Sequence, residues 1–280
     1  MMNPSQKSYA TELEFEPICP SVPKLAFPNE SADSGRRGNT QIAPSRSAYD
    51  PVKRVLDLLA CIAIMALTWP ILLAGWILVK STSKGPGIYT QTRLGLGGRP
   101  FRIYKLRSMT NNCEATAGGA KWSMVNDPRV TPVGKLFRKL HIDELPQLFN
   151  VLLGDMSLVG PRPERPEFVG PLSASIREYP LRLAVRPGVT GLAQIQLPSD
   201  TDLDSVRKKI ILDSCYIDSR GIWFDIKLIV GTAIYLAGFS YATVRRMLAL
   251  PNPLLPCQQE PEIRIHSVPV QHEMTPQTSI

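Results

Sequence analysis

The chain has 280 residues, with 32 Lys and Arg set against 24 Asp and Glu, a formal net charge of +8 and a pI near 9.3. That length holds one large domain or two small ones, and the basic balance points to an anionic partner: membrane surface, phosphorylated substrate or nucleic acid. Cys19, Cys61, Cys113, Cys215 and Cys257 are scattered and two of the three histidines lie in the C-terminal tail, which argues against a disulfide framework or a histidine-rich metal site and for a reduced, cytosol-facing compartment.

Residues 1–50 are polar, rich in Pro, Ser and Asn, and lack sustained periodicity, the composition of a disordered arm. No apolar core of a secretory signal stands near the start. Val55 to Val79 changes character: only Asp57 is charged, and the run is long enough to cross a bilayer of ~30 Å. Pro70 falls inside it and should kink or break a helix there. Both flanks are basic, Lys53 and Arg54 before and Lys80 and Lys84 after, whereas a spanning helix usually carries its Lys/Arg bias on one side. A plain span and a hairpin returning to the same face both fit this stretch.

Gly85-Pro86-Gly87 reads as a turn. Ile88–Gln91 and Phe101–Tyr104 read as two strands joined by the Gly95–Pro100 loop, and Lys105, Arg107 and Ser108 follow at once. Asn111 to Asp127 reads as a mobile loop. Lys135 to Leu140 sets Leu136, Phe137 and Leu140 among three cations, an interfacial pattern with apolar stems below and charges toward headgroups.

Two adjacent carboxylates come next. Leu145, Leu148, Phe149 and Leu152 fall at helical spacing, so Asp143 is placed to cap a helix whose first turn holds Pro146 and which Gly154 stops. Asp143 and Glu144 then sit where a helix dipole favours negative charge or a phosphate. As a bare pattern this is a helix cap and a first-turn acid.

Asp155 to Val159 reads as a short extended segment leading to Gly160-Pro161-Arg162-Pro163-Glu164, a rigid turn that fixes one arginine for a carboxylate or phosphate. Arg177, Arg182 and Arg186, set among Tyr, Leu and Val, read as a headgroup-facing surface, and residues 187–191 as a turn. Ser205 to Ser214 reads as a helix with a basic face at Arg207, Lys208 and Lys209. Leu228 to Phe239 is an apolar helix too short for a comfortable span, placed in the core or at the interface. From Pro251 onward six prolines in thirty residues mark an unstructured tail.

Taken together, several motifs resemble the bacterial sugar transferases, the monotopic phosphoglycosyl transferases. They run from Lys53-Arg54-x-x-Asp57 and Gly85-Pro86-Gly87 through Gln91-x-Arg93-x-Gly95 and Tyr104-Lys105-Leu106-Arg107-Ser108-Met109. Asp127-x-Arg129-x-Thr131-x-x-Gly134 and Asp143-Glu144-Leu145-Pro146-Gln147-Leu148-x-Asn150-Val151 come next. Gly154-Asp155-Met156-Ser157-Leu158-Val159-Gly160-Pro161-Arg162-Pro163 and Arg186-Pro187-Gly188-x-Thr190-Gly191 complete the set.

The resemblance implies a small membrane-associated α/β catalytic domain with an N-terminal re-entrant membrane helix and interfacial amphipathic helices. Its divisions are a polar arm over 1–50, the membrane helix over 51–84, the catalytic domain over 85–245 and a Pro-rich tail over 246–280. It implies a nucleotide-diphosphate sugar donor, a polyprenyl phosphate acceptor, anionic lipid of the inner leaflet, Mg²⁺ as cofactor, and a catalytic domain on the cytoplasmic side of the bacterial inner membrane. Nucleic acid is not an implied partner. Carried over by position, Asp143 is the nucleophile, Glu144 the Mg²⁺ ligand, and Lys105, Arg107, Arg138 and Arg162 the phosphate-binding cations.

This chain departs from the pattern in places. Thr68-Trp69 precede Pro70 where serine is usual, Leu106 stands for Phe, Gly97-Gly98 replaces an Asn-Gly turn, and Ile195 to Asp213 is the poorest match, lacking the usual short polar segment with an arginine after the Gly-x-x-Gln. The rival reading is a non-catalytic, basic, membrane-anchored binding or scaffold protein. Adjacent acids inside a cationic patch are of no use to such a protein.

Overall fold

The protein is described here from a computed structural model that covers residues 43–111, 113, 127–198, 200 and 202–252. Most of the expected 1–50 arm, the 111–127 loop and the Pro-rich tail lies outside the described residues.

The chain opens on α1, Tyr49–Thr82, a 34-residue helix of about 51 Å at 1.5 Å per residue. It starts earlier than its apolar run because Ser47 and Asp50 organise the entry: the Ser47 N–H donates to the Asp50 carboxylate at 2.8 Å. Pro70 does not end the helix, which continues to Thr82. Most of the surface of α1 is apolar and exposed, including Leu67 at 79% and Trp69 at 57%.

Both ends of α1 nevertheless rest on the same folded body. Near its start, Arg54 donates to the Val151 and Leu152 carbonyls at 2.6 and 3.1 Å, and Ser157 Oγ donates to Asp57 at 2.6 Å. Cys61, fully buried, reaches the Leu148 carbonyl. Near its other end, Val79 is buried with Leu106 and Phe137. Gly75 is the close approach that allows this: a Cβ there meets Leu106 Cδ1 at 2.9 Å and Ile142 and Phe137 at 3.6 Å.

The expected hairpin is present and longer than its core residues, with β1, Ile88–Leu94, antiparallel to β2, Pro100–Leu106. Then come α2, Pro132–Leu140, and α3, Gln147–Leu153. Gly154 ends α3 at φ 90°, a left-handed cap that glycine adopts without a Cβ penalty, as its position in the sequence foretold. Asn150, fully buried, fastens α3 to the hairpin: its amide accepts from the Tyr104 N–H at 3.0 Å and donates to the Arg102 carbonyl at 2.7 Å.

A second, parallel pair follows: β3, Ser157–Val159, with β4, Gly188–Thr190. Between them run α4, Pro166–Ser175, and a 3-10 helix, Tyr179–Ala184. The remaining helices are α5, Leu203–Ser219, α6, Ile222–Leu236, and α7, Tyr241–Leu248. The largest core cluster joins Cys61 of α1 to α3, β3, the Leu192–Ile195 segment, α5, α6 and α7.

Three expectations fail here. Within the turn expected at 187–191, Gly188–Thr190 form strand β4, since the Ser157 N–H finds the Pro187 carbonyl and the Gly160 N–H the Thr190 carbonyl. The middle of the headgroup surface expected at 177–186 is core, with Tyr179 fully buried and Arg182 5% exposed, its charge met by Asp213 at 3.0 Å, while Arg177 is exposed and Arg186 half-buried. Lys209 does not belong to an outer basic face, because it is buried against Asp200 and Glu164. For Arg182 and Lys209, carboxylate partners drew the charge inward.

Candidate active site

Left-handed backbone at His141, φ 56°, ends α2 and turns the chain back over β2. Asp143 and Glu144 then fall in a single 3-10 turn, Ile142–Glu144, rather than in the first turn of the following helix. The expected cap is therefore absent: α3 begins after Pro146 and carries no side-chain cap. Proline at 146 supplies no N–H for such a cap.

The two acids have opposite surroundings. Glu144 is clamped: Lys105 Nζ donates to its Oε1 at 2.8 Å, and Arg162 donates to Oε1 at 2.5 Å and Oε2 at 3.2 Å. Burial alone raises this carboxyl, but the Arg162 and Lys105 charges prevail and hold it well below the usual carboxylate range. Asp143 is 6% exposed and accepts no hydrogen bond from any described residue. Burial, followed by the like charge of Glu144, raises its pKa; Lys105, Arg138 and Arg162 pull the other way without cancelling that effect. Burial likewise lowers the Lys105 ammonium, partly offset by Glu144.

Three different elements deliver these cations. Lys105 comes from β2, one residue beyond the Tyr104 amide that Asn150 fixes. Arg138 comes from α2, its Nε tied to Ser108 Oγ at 2.9 Å. Arg162 comes from the turn after β3 and keeps a side chain 37% exposed, open to an incoming anion. Arg107 does not join them. It is buried and turned to the end of α1, where Ser83 Oγ and the Ser83 and Lys84 carbonyls accept its N–H groups.

A cluster of two carboxylates, one held and one free, among three cations is a setting for phosphoryl chemistry. Comparison with known proteins names the family. The model of the bacterial sugar transferases matches residues 48–238. The chain belongs to the bacterial sugar transferase family. It is 46% identical over 192 residues to the UDP-N-acetylgalactosamine-undecaprenyl-phosphate N-acetylgalactosaminephosphotransferase of Aeromonas hydrophila, a match covering 68% of this chain and 45% of that protein. To the UDP-glucose:undecaprenyl-phosphate glucose-1-phosphate transferase of Caulobacter vibrioides it is 45% identical over 189 residues, 67% of this chain and 70% of that one. The exopolysaccharide production protein PSS of Rhizobium leguminosarum is 38% identical over 192 residues, 65% of this chain and 94% of that protein. The matched region thus spans less than half of the Aeromonas relative.

The site of this family member includes residues that the sequence did not single out. Arg182 Nη2 donates to the Arg162 carbonyl at 2.9 Å, and Arg93 Nη1 donates to the Pro163 carbonyl at 3.2 Å. Glu164 lies within ion-pair reach of Arg93, Arg182 and Lys209. The Pro-Arg-Pro turn is therefore held from beneath by two neutralised arginines, Arg182 buried and Arg93 half-buried. An acid directly after that turn was the one local signal of such a support.

Adjacent carboxylates also suit a hard divalent cation in donor type. No group of three or more His, Cys, Asp or Glu gathers among the described residues, so a divalent cation held at this pair would need further oxygen ligands from elsewhere.

Proposed function

We propose that this transferase moves a sugar-phosphate from a UDP-sugar to undecaprenyl phosphate through a covalent aspartyl intermediate, at an early membrane step of polysaccharide or glycoconjugate assembly. The observation that carries this reading is the contrast between the locked Glu144 and the unbonded, buried Asp143 beside it. A carboxylate spared from hydrogen bonds keeps its lone pairs for attack. The names of the Aeromonas and Caulobacter relatives support the donor and acceptor classes, and their different sugars leave the sugar open.

An Asp143 carboxylate oxygen attacks the β-phosphorus of the donor. The bond from that phosphorus to the bridging oxygen breaks, and UMP departs with the electron pair. A phosphate oxygen of the polyprenyl carrier then attacks the same phosphorus and displaces Asp143, leaving the sugar on a lipid diphosphate. Arg162 and Arg138 bind and orient the phosphates, and Lys105 holds Glu144 in register. Glu144 would be the residue to hold Mg²⁺, which when bound would supply charge neutralisation. Splitting one transfer into two steps suits a site at a membrane surface, because the two substrates need not be bound together.

The same reading places α1 in the cytoplasmic leaflet of the inner membrane as a re-entrant helix, with α2 and α6 lying along the interface near anionic lipid. Support comes from the packing of both α1 ends on one body, its basic flanks, and exposed apolar side chains on Leu136, Leu140 and Trp223.

The test is release of nucleoside monophosphate from a panel of nucleotide sugars with Mg²⁺, with and without polyprenyl phosphate. Asp143→Asn is expected to abolish release altogether, and full turnover by that variant sinks the covalent assignment. Glu144→Gln is expected to shift the Mg²⁺ titration to higher concentration by roughly 10–100-fold. An unchanged titration removes Glu144 from the metal.

A further inference from the structure

A second cationic cavity, of about 210 Å³, opens at the foot of α1 and shares none of its lining with Asp143, Glu144, Lys105, Arg138 or Arg162. Arg46, Lys53, Arg54, Arg186 and Arg220 face it, against the two carboxylates of Asp50 and Asp57. Lys53 is engaged by Asp225 and lies 3.6 Å from Asp57, while Arg220 is 3.4 Å from Asp50. Setting those three acids against the five cations leaves a formal charge of +2, and Arg46, Arg54 and Arg186 are the cations with no carboxylate partner among the described residues.

Two of these arginines are fixed before any ligand arrives. Arg54 donates to the Val151 and Leu152 carbonyls, and Arg186 Nε donates to the Gly154 carbonyl at 3.1 Å. Those bonds leave both terminal nitrogens of Arg186 without a partner among the described residues. Arg46 is exposed and has none there either. A guanidinium so anchored presents its planar fork to an oxyanion at little entropic cost.

Position and size then select the ligand. Val52 and Val55 of α1, exposed and apolar, adjoin the cavity wall at Lys53 and Arg54, so the cavity lies level with lipid headgroups once α1 enters a bilayer. Its volume is below the ~300 Å³ at which pockets begin to enclose a drug-sized molecule. A nucleotide sugar is too large and a phosphate with its glycerol is not. We propose that this cavity is a second phosphate site, which takes the headgroup of an anionic bilayer lipid and holds the foot of α1 at the membrane surface. This rests on the membrane placement of α1 given above.

The experiment is hydrogen–deuterium exchange of the non-helical 43–48 segment, on the full chain in nanodiscs of phosphatidylcholine alone or with phosphatidylglycerol. Incorporation into either disc tests the membrane placement by itself. Exchange is expected to slow about tenfold in the phosphatidylglycerol discs only. Arg46→Ser and Arg186→Gln are each expected to abolish the slowing, and Lys139→Ser, a basic residue outside the cavity, to keep it. Because Arg46 is exposed and unbonded among the described residues, its replacement leaves the fold in place. Equal exchange in both discs overturns the site, as does an equal effect of Lys139→Ser. The same protection in phosphatidylcholine discs from 10 mM glycerol phosphate overturns the lipid assignment in favour of a soluble anion.

Discussion

Arg182 donates a 2.9 Å hydrogen bond from Nη2 to the carbonyl oxygen of Arg162, twenty residues earlier in the chain. One buried arginine thereby sets the backbone from which another, partly exposed, reaches Glu144. Arg182 is itself neutralised by Asp213 at 3.0 Å and steadied by the Tyr179 hydroxyl. Arg182→Ala strands Asp213 in the core and is expected to cost about 3–5 kcal/mol of stability. Thermal unfolding in detergent reads this directly. Arg182→Lys keeps the charge but not the fork, so it is expected to retain more stability while lowering the rate of nucleoside monophosphate release. A lysine variant with unchanged rate shows that the carbonyl contact does not position Arg162.

The opposite shifts of the two acids separate activity from stability along the pH axis. Glu144 is depressed in the folded chain, so its contribution is present above the unfolded value of about 4.3 and is lost as pH falls through its lower folded value. Asp143 is raised: its charged form costs the native state, and acid relieves that cost while removing the nucleophile. Activity is therefore expected to fall at a higher pH than stability does. Parallel pH series of single-turnover release and urea unfolding check the order. Coincident losses count against Asp143 as the ionised nucleophile. For the same reason Asp143→Asn is expected to unfold at a higher temperature than the parent chain.

Gly75 lets α1 touch the site's framework, since its neighbours Leu106 and Ile142 directly adjoin Lys105 and Asp143 in sequence. Gly75→Leu overfills this contact and is expected to cost about 1–3 kcal/mol. Lys105 and Asp143 should shift with their neighbours, so kcat should fall by more than the loss of folded protein explains. Full specific activity in the folded fraction argues that α1 and the site are mechanically independent.

The re-entrant placement predicts that cysteines at Arg46 and Lys84, one beyond each end of α1, react from the same side of the membrane. Spheroplasts and inverted vesicles treated with an impermeant maleimide distinguish the cases. Labelling of the two positions from opposite sides makes α1 a span.

Local chemistry made much of this fold legible. The hairpin at 88–106 and the glycine stop at 154 follow from turn residues and periodicity within a few positions of each other. The site was legible in its membership, with Glu144, Lys105 and Arg162 meeting as expected, but not in its geometry. Asp143 resembled a cap because an acid before an apolar repeat usually is one. The 3-10 turn that releases it depends on the left-handed His141 and on Pro146, whose joint effect has no periodic signature. Arg107 looked like Lys105 two residues before it, which on a strand shares its face, yet β2 ends at Leu106 and the Arg107 guanidinium turns to Ser83 and Lys84. Arg182, Lys209 and Glu164 were misread or missed because their partners lie tens of residues away.

Cys61 and Val79, near opposite ends of α1, are both part of the buried core. Deleting the apolar helix to obtain a water-soluble fragment thus does more than remove an attachment: it opens two holes in the interior and frees Leu106 and Phe137 to solvent. The chain has no detachable anchor. Purification, crystallisation and inhibitor screening alike have to carry α1 along, and bilayer entry and completion of the fold become one event for a newly made chain.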